Sequence, residues 1–218
     1  MNRYTIGYID YKSEIFERQL GPSIQNLVGG FDVLNTSCEK APAFNYNDMI
    51  DQCETPYLIL THQDVSFSPD LLSCIDKTIE HVPDFGALGM VGARTGAPGL
   101  RWSDVGGIKE LDTADCCFII VRKDLGIKFN STVFDDFHMY VEDYCAQVSR
   151  VLGKKCYTIL IKSEQLDAYM HYSDLVNKFG KEFLIHHGYT NRVAGVMWGK
   201  YREYQRKFWS MWPGLQTT

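Results

Sequence analysis

The chain has 218 residues, of which 45% are hydrophobic and 22% are charged, and its formal net charge is −5. This length and composition suit one globular domain with a sizeable core, or one domain with a C-terminal appendage. The acidic balance disfavours a nucleic-acid binder that relies on phosphate contacts, and no apolar run approaches the roughly 18 residues of a membrane-spanning helix.

Apolar runs alternate with helix-like patterns over the first 80 residues. Strands are predicted at residues 5–9, 31–34 and 56–61. One helix is predicted to start with a cap at Ser13 and to kink or break at Pro22, a second starts near Asn45, and a third starts at Ser68. This alternation predicts a parallel α/β sheet, in which ligands bind beyond the carboxyl ends of the strands.

The second half of the chain is less regular. Further strands are predicted at residues 85–93, 116–121 and 157–161, and a glycine-rich loop is predicted at residues 95–107. A loop at residues 134–143 leads into a helix that opens with Glu142 and Asp143 and stops at Gly153. The tail from Leu175 onward is predicted to be helical and rich in aromatic residues.

Asp64 is the first candidate for chemistry, because His62-Gln63-Asp64 directly follows the most continuous predicted strand. A carboxylate there is well placed to bind Mg²⁺ or Mn²⁺, which use one or two carboxylates and complete their shell with phosphates and water. The alternative is that Asp64 only caps the turn before Ser68.

Two acids and two histidines are further candidates. Glu142 and Asp143 could act as a base near an acceptor hydroxyl, although acids in the first turn of a helix are favoured by its dipole whatever the function. His171 follows the last predicted strand and could bind metal or phosphate, and His138 is a similar but weaker candidate. A lone histidine is more often a structural hydrogen-bonding residue.

Seven cysteines, an odd number, contain no C-x-x-C pair. This pattern predicts reduced core thiols in a cytoplasmic protein rather than a disulfide framework or a structural zinc site. The first ten residues lack the apolar core of a secretory signal. We therefore expect a cytoplasmic location, and a lipid-linked substrate would be met at the inner face of the membrane.

Five segments are informative together, namely FNYNDMIDQCETPYLILTHQDV (44–65), DTADCCFIIVRKD (112–124), FDDFHMYVEDYCAQVSRVLGKKCYTI (134–159), MHYS (170–173) and a final RKFW (206–209). In this order they resemble the inverting glycosyltransferase family 2 group, which has the GT-A fold. The most similar branch carries histidine-glutamine-aspartate in place of the usual D-x-D motif. The resemblance covers roughly residues 4–209.

The resemblance implies a Rossmann-like, mostly parallel sheet flanked by helices, with a GT-A domain at residues 1–174 and a helical extension at residues 175–218 packed on it. It implies inverting transfer of a sugar from a nucleoside-diphosphate sugar, with a UDP-sugar favoured, to an acceptor hydroxyl. Mn²⁺ or Mg²⁺ would assist. The pathway would be surface polysaccharide or glycoconjugate synthesis, with a polysaccharide or lipid-linked acceptor.

Specific site residues follow from the same resemblance. Asp143 would be the catalytic base and Glu142 would orient it or bind the acceptor, Asp64 and His171 would hold the metal, and Trp102 and His138 would face the acceptor. The residues implied to bind the donor are Tyr8, Asp10, Asn35, Tyr46, Asn47, His62, Gln63 and Asp64.

The sequence departs from the family pattern at two places. His62 replaces the first acid of D-x-D, and the usual acid after the second strand is missing, so Asn35, Thr36 or Glu39 would take its part. Two other functions remain open. One is a sugar-phosphate nucleotidyltransferase, which the lack of a glycine-rich phosphate loop after Ile9 disfavours. The other is a catalytically silent binding module with the same fold.

Overall fold

The computed structural model describes residues 2–95, 97–100, 107–160 and 191–217. Within these residues the strands are β1 Tyr4–Asp10, β2 Phe31–Ser37, β3 Tyr57–Thr61, β4 Ala87–Gly89, β5 Gly92–Arg94, β6 Ala97–Leu100, β7 Glu110–Leu111, β8 Thr113–Ala114, β9 Phe118–Arg122 and β10 Cys156–Thr158. The helices in the same residues are α1 Ser13–Arg18, α2 Leu20–Asn26, α3 Pro42–Gln52, α4 Leu71–His81, α5 Tyr140–Arg150 and α6 Asn191–Met211.

A seven-stranded mixed sheet forms the centre of the described fold, in the order β2-β1-β3-β9-β4-β10-β7. β1 pairs in parallel with both β2 and β3, and β10 pairs in parallel with β4. β9 is antiparallel to both β3 and β4, and β7 is antiparallel to β10 at the edge. Five of the strands therefore share one direction, and the predicted mostly parallel α/β sheet is confirmed.

A smaller antiparallel sheet, in the order β6-β5-β8, lies outside the central one. The sequence predicted a single strand at residues 85–93, but the chain there forms β4 in the central sheet and β5 in the small one. Both sheets approach closely at two glycines. A Cβ on Gly89 of β4 would lie 2.8 Å from Ala114 Cβ of β8, and one on Gly92 of β5 would lie 2.8 Å from Leu111 Cδ1 of β7.

Helix starts are the least accurate part of the prediction. The helix expected to break at Pro22 breaks instead at Gln19, whose buried side chain accepts a hydrogen bond from Ser66 Oγ at 2.6 Å. Pro22 lies in the first turn of α2, where its missing N–H removes no helical hydrogen bond. The helix predicted near Asn45 begins three residues earlier at Pro42, and α4 begins at Leu71 rather than at Ser68-Pro69.

Helices cover both faces of the central sheet, which explains why its inner strands β3 and β9 are continuous apolar runs, whereas the edge strand β2 is not. One hydrophobic cluster joins α3 and α5 to the sheet through residues such as Met49 and Tyr144, and the other joins α2 and α4 through Leu20 and Ile75. Phe208 of α6 is fully buried in the first cluster. The predicted helical tail is thus present from Asn191, while the predicted boundary at 174/175 lies outside the described residues.

None of the helices in the described part of the chain has both the length and the apolar character needed to cross a bilayer.

The prediction that the cysteines are core thiols holds for five of the seven, but Cys38 is exposed and Cys116 is only half-buried. Cys38 follows the edge strand β2, in the connection to α3.

Candidate active site

A cavity of about 430 Å³ opens at the carboxyl ends of β1, β2 and β3. Because these strands are parallel neighbours, the residues that follow each of them meet at one edge of the sheet. The lining residues come from this edge and from the loop before α5, and they are Ile9, Tyr11, Cys38, Glu39, Lys40, Ala41, Pro42, Tyr46, Thr61, His62, Asp135, Asp136 and Phe137.

Gln63 connects two of these strand ends. Its side chain is fully buried, and its Oε1 accepts hydrogen bonds from the backbone N–H groups of Tyr11 at 3.1 Å and Lys12 at 3.0 Å. Its Nε2 donates to Asp10 Oδ1 at 2.9 Å. Gln63 and Asp10, both predicted to bind the donor, therefore shape the loop after β1, and Tyr11 from that loop lines the cavity.

His62 and Asp64 stand on either side of Gln63 after β3. His62 lines the cavity, its Nε2 lies 3.4 Å from the Tyr140 hydroxyl, and its Nδ1 lies 3.8 Å from Asp64 Oδ1. The Asp64 side chain is 17% exposed, and no donor in the described part of the chain hydrogen-bonds to it. Such a carboxylate keeps its oxygens available for a divalent cation.

The other predicted donor residues have mixed positions. Tyr46 lines the cavity, but Asn47 binds backbone instead, donating to the Phe129 carbonyl at 2.9 Å and accepting from the Phe129 N–H at 2.8 Å. Tyr8 is buried and stacks on Phe16 with 4.9 Å between ring centroids. Asn35 is exposed on the edge strand β2. Among the described residues, Tyr8, Asn35 and Asn47 therefore do not line the cavity.

The residues after β2 that do line the cavity are Cys38, Glu39 and Lys40. Glu39 was one of three candidates for the missing acid after this strand, and it is the one that the structure brings to the cavity. Thr36, another candidate, is half-buried, and its Oγ1 has no hydrogen-bond partner among the described residues.

One wall of the cavity was not foreseen, namely the loop with Asp135, Asp136 and Phe137. Asp135 accepts a hydrogen bond from the Tyr204 hydroxyl at 2.5 Å, which lowers the pKa of this carboxyl. Burial acts to raise the pKa of Asp136, but its ion pair with Lys200 and the hydrogen bond from the Phe137 N–H together outweigh this, and the pKa is lowered. Both acids are thus ionised at neutral pH and held by α6. The two adjacent acids in FDD (134–136) were the sequence signal from which this cavity wall could have been predicted.

Glu142 and Asp143 lie in the first turn of α5, as predicted, and both are buried. Asp143 is 0% exposed; its Oδ1 accepts from Trp212 Nε1 at 2.7 Å and its Oδ2 from Gln147 Nε2 at 2.8 Å. Burial raises the pKa of Asp143, and these two hydrogen bonds lower it in part. Glu142 is 4% exposed.

The thiol of Cys116 is influenced electrostatically by several carboxylates. Burial raises the pKa of its thiol well above the ordinary value. The negative charges of Asp115, Glu142 and Asp64 raise it further. Glu142 and Asp64 therefore lie within electrostatic reach of the same group, which links the start of α5 to the end of β3.

The remaining predicted residues contribute less. His138 is half-buried, burial lowers its pKa, and its ring packs edge-on against Tyr201 with 5.4 Å between centroids. His138 does not line the cavity. Trp102 and His171 lie outside the described residues. In the part of the chain that the structure covers, no group of three or more His, Cys, Asp or Glu side chains could hold a metal. Of the two predicted metal ligands, Asp64 and His171, the structure therefore describes Asp64.

No protein-family model and no curated protein matches the chain. Solved structures do. Over 77% of this chain, TarS 1–349 from S. aureus matches with a TM-score of 0.55 and 13% identity. The same protein in complex with UDP-GlcNAc matches with a TM-score of 0.53 and 14% identity. The mannosyltransferase PcManGT from Pyrobaculum calidifontis, in complex with GDP-Man and Mn²⁺, matches 74% of this chain with a TM-score of 0.51 and 11% identity.

These similarities confirm the GT-A fold that the sequence predicted. The chain spans less than two thirds of the structures just named, covering 59% and 57% of the two TarS 1–349 chains and 58% of PcManGT. At such low identity a shared fold does not establish a shared activity.

Proposed function

We propose that the chain is a glycosyltransferase that moves a sugar from a nucleoside-diphosphate sugar to an acceptor hydroxyl with inversion, in surface polysaccharide or glycoconjugate synthesis. The observation that carries this proposal is the cavity of about 430 Å³ at the carboxyl ends of β1, β2 and β3. His62 lines it, and Asp64, two residues further along, lies behind His62 with its Oδ1 3.8 Å from His62 Nδ1. TarS has been solved with UDP-GlcNAc and PcManGT with GDP-Man and Mn²⁺, so related folds hold such donors.

The nucleoside would lie in the cavity against Tyr11 and the Cys38–Lys40 segment. Glu39 would accept hydrogen bonds from base or ribose, because an exposed carboxylate is an acceptor-only group. A UDP-sugar is the favoured donor. Gln63 fixes the loop that carries Tyr11, so the cavity wall is ordered before the donor binds.

A divalent cation fits Asp64, whose carboxylate is partly exposed and accepts no hydrogen bond from the described residues. We propose Mn²⁺ or Mg²⁺ there, with His171 as a second ligand. When bound, the ion would neutralise the diphosphate leaving group as a Lewis acid. His62 in place of an acid leaves one fewer negative charge at this position than in a D-x-D motif.

On the acceptor side, Asp143 would remove the proton of the attacking hydroxyl while the bond between the anomeric carbon and the diphosphate breaks. A single displacement on a transition state with oxocarbenium character inverts the configuration. Glu142 would bind the acceptor, and Trp102 and His138 would provide further contacts. Because Asp143 is 0% exposed, the groups that cover it must shift before an acceptor reaches it.

The second candidate is a catalytically silent binding module. The burial of both Glu142 and Asp143 favours it, since a base must contact its acceptor. The lined cavity and the exposed Asp64 oxygens favour donor binding under either function. The two candidates therefore differ in turnover, and a loss of nucleotide binding would favour the silent module, which has no need to retain it.

Thermal unfolding with a panel of nucleotides and nucleotide sugars, with and without Mn²⁺, tests the donor site. A ligand at 100 times its dissociation constant adds about 2.7 kcal/mol of stability. We expect one nucleotide to give a metal-dependent shift that Asp64→Ala abolishes and Asp51→Ala retains, because Asp51 is on the surface, paired with Lys128. No shift with any nucleotide would contradict the transferase and favour the silent module. Release of the nucleoside diphosphate with acceptor, in wild type but not in Asp143→Asn, would then separate transferase from silent module.

A further inference from the structure

The segment that follows α6 reaches back to the candidate base. Trp212 lies just beyond the last residue of α6, and its backbone N–H still donates to the Phe208 carbonyl at 2.8 Å. Its indole Nε1 donates to Asp143 Oδ1 at 2.7 Å. This contact joins residues 69 positions apart in the sequence, and the ring packs against the cluster that contains α5.

The rest of this segment, residues 213–217, is fixed to the small sheet and to α6. Thr113 Oγ1 of β8 donates to the Gln216 carbonyl at 2.8 Å. Thr95 Oγ1, just after β5, lies 3.1 Å from the Gly214 carbonyl oxygen, but it donates its one proton to the closer Asp112 Oδ2. Gln205 Nε2 donates to Thr217 Oγ1 at 3.0 Å. Leu215 between them is 6% exposed. Trp212 is therefore held by α6 on its N-terminal side and by the anchored residues 213–217 on its C-terminal side.

The Asp143 carboxylate is correspondingly constrained. Its Oδ2 is held by Gln147, one turn further along the same helix, and its Oδ1 is held by a residue from a different part of the chain. Donors on both oxygens fix the plane of the carboxylate as well as its position. Hydrogen bonds from neutral donors to an ionised carboxylate are among the stronger ones in proteins, and they favour the ionised form that a base requires.

We propose that Trp212 is a positioning residue for Asp143, delivered by the segment 212–217. This rests on the proposed function, in which Asp143 is the base. Trp212 makes the Oδ1 hydrogen bond that orients the carboxylate, and the contacts of Thr113 with Gln216 and of Gln205 with Thr217 set where its indole lies. A residue that served only to fill the core would need neither the polar atom of the indole nor the anchored segment behind it.

The first test is the pH dependence of turnover in Trp212→Phe, which keeps an aromatic ring and loses the N–H. We expect kcat to fall on the order of tenfold to a hundredfold with the donor KM unchanged. We also expect the acid limb of the pH profile to move to higher pH, because the lost hydrogen bond lowers the pKa of Asp143. Trp209→Phe, on the exposed side of α6, is the matched control and should leave both unchanged.

Thr113→Val tests the anchored segment without touching Asp143, since Thr113 contacts Gln216. It should shift the acid limb in the same direction as Trp212→Phe and by less. A fall in kcat in either variant with an unmoved pH profile would overturn the proposal and leave Trp212 as a packing residue.

A spectroscopic test is independent of turnover. The indole ¹H–¹⁵N resonance of Trp212, assigned by its loss in Trp212→Phe, should titrate with Asp143 and lose that titration in Asp143→Asn. A pH-independent indole resonance would overturn the proposal whether or not the protein transfers sugar. Titration of the indole in a protein without transferase activity would confirm the contact and contradict the proposed function.

Discussion

Gln63→Leu is the most direct perturbation of the donor cavity, because it removes three hydrogen bonds at nearly constant volume. The backbone N–H groups of Tyr11 and Lys12 each lose a neutral acceptor, at about 1 kcal/mol each, and Asp10 loses a donor to a charged group, at about 2 kcal/mol. These sum to about 4 kcal/mol as an upper limit. Since Asp10, Tyr11 and Lys12 are only half-buried, water replaces part of the loss and we expect about 2–3 kcal/mol.

Urea unfolding measures this loss, and nucleotide titration measures its effect on the cavity. We expect Gln63→Leu to lower the free energy of unfolding by that amount and to weaken nucleotide binding, because Tyr11 lines the cavity. Gln25→Leu on the exposed side of α2 is the control and should change neither. Equal unfolding midpoints and equal nucleotide affinities in the two variants would refute the reasoning, since the loop after β1 would then be held by other contacts.

Three further outcomes are expected. Phe208→Ala should destabilise the protein by about 3–5 kcal/mol, as a fully buried ring does, whereas Trp209→Ala, 44% exposed, should change stability by about 0.5 kcal/mol in urea unfolding. A nucleotide in the cavity should slow alkylation of the exposed Cys38 thiol, followed by mass spectrometry, and equal rates with and without nucleotide would place the nucleotide elsewhere. Because burial raises the pKa of Asp143 above 3.8, the folded state binds its proton more tightly, so wild-type stability relative to Asp143→Asn should fall as pH rises above about 4; a pH-independent difference in urea unfolding would contradict this.

The parts of the fold that the sequence predicts well are those that local pattern determines. β3 reads as a continuous apolar run because helices cover both faces of the sheet there, and its end therefore locates His62, Gln63 and Asp64 at the ligand edge. The split of residues 85–93 between two sheets was not predictable, because it depends on how closely Gly89 of the central sheet passes Ala114 of the small sheet. That approach is a tertiary distance and leaves no periodic signal.

The candidate site likewise combines positions that the local sequence predicts with contacts that only the tertiary fold determines. The role of Gln63 in fixing the β1 loop and the acids that line the cavity before α5 both depend on partners about 50 to 70 residues away in the sequence. Asn47, by contrast, was assigned to the donor from the resemblance, and its amide binds the backbone of Phe129 in both directions. A motif gives the position of such a side chain in the sequence, but only the fold determines which partner satisfies it.

One element, α6 with the segment after it, contacts both sides of the candidate site. Tyr204 and Lys200 hold Asp135 and Asp136 in the cavity wall, and Trp212 holds the carboxylate of Asp143. Phe208, between these contacts in the sequence, is fully buried in the core, so none of them moves independently of the others. The distance between the donor wall and the candidate base is therefore set by the seating of one helix. A displacement of α6 would therefore alter the donor side and the acceptor side together. Loss of the Gln63 hydrogen bonds would alter the donor side and leave Asp143 in place.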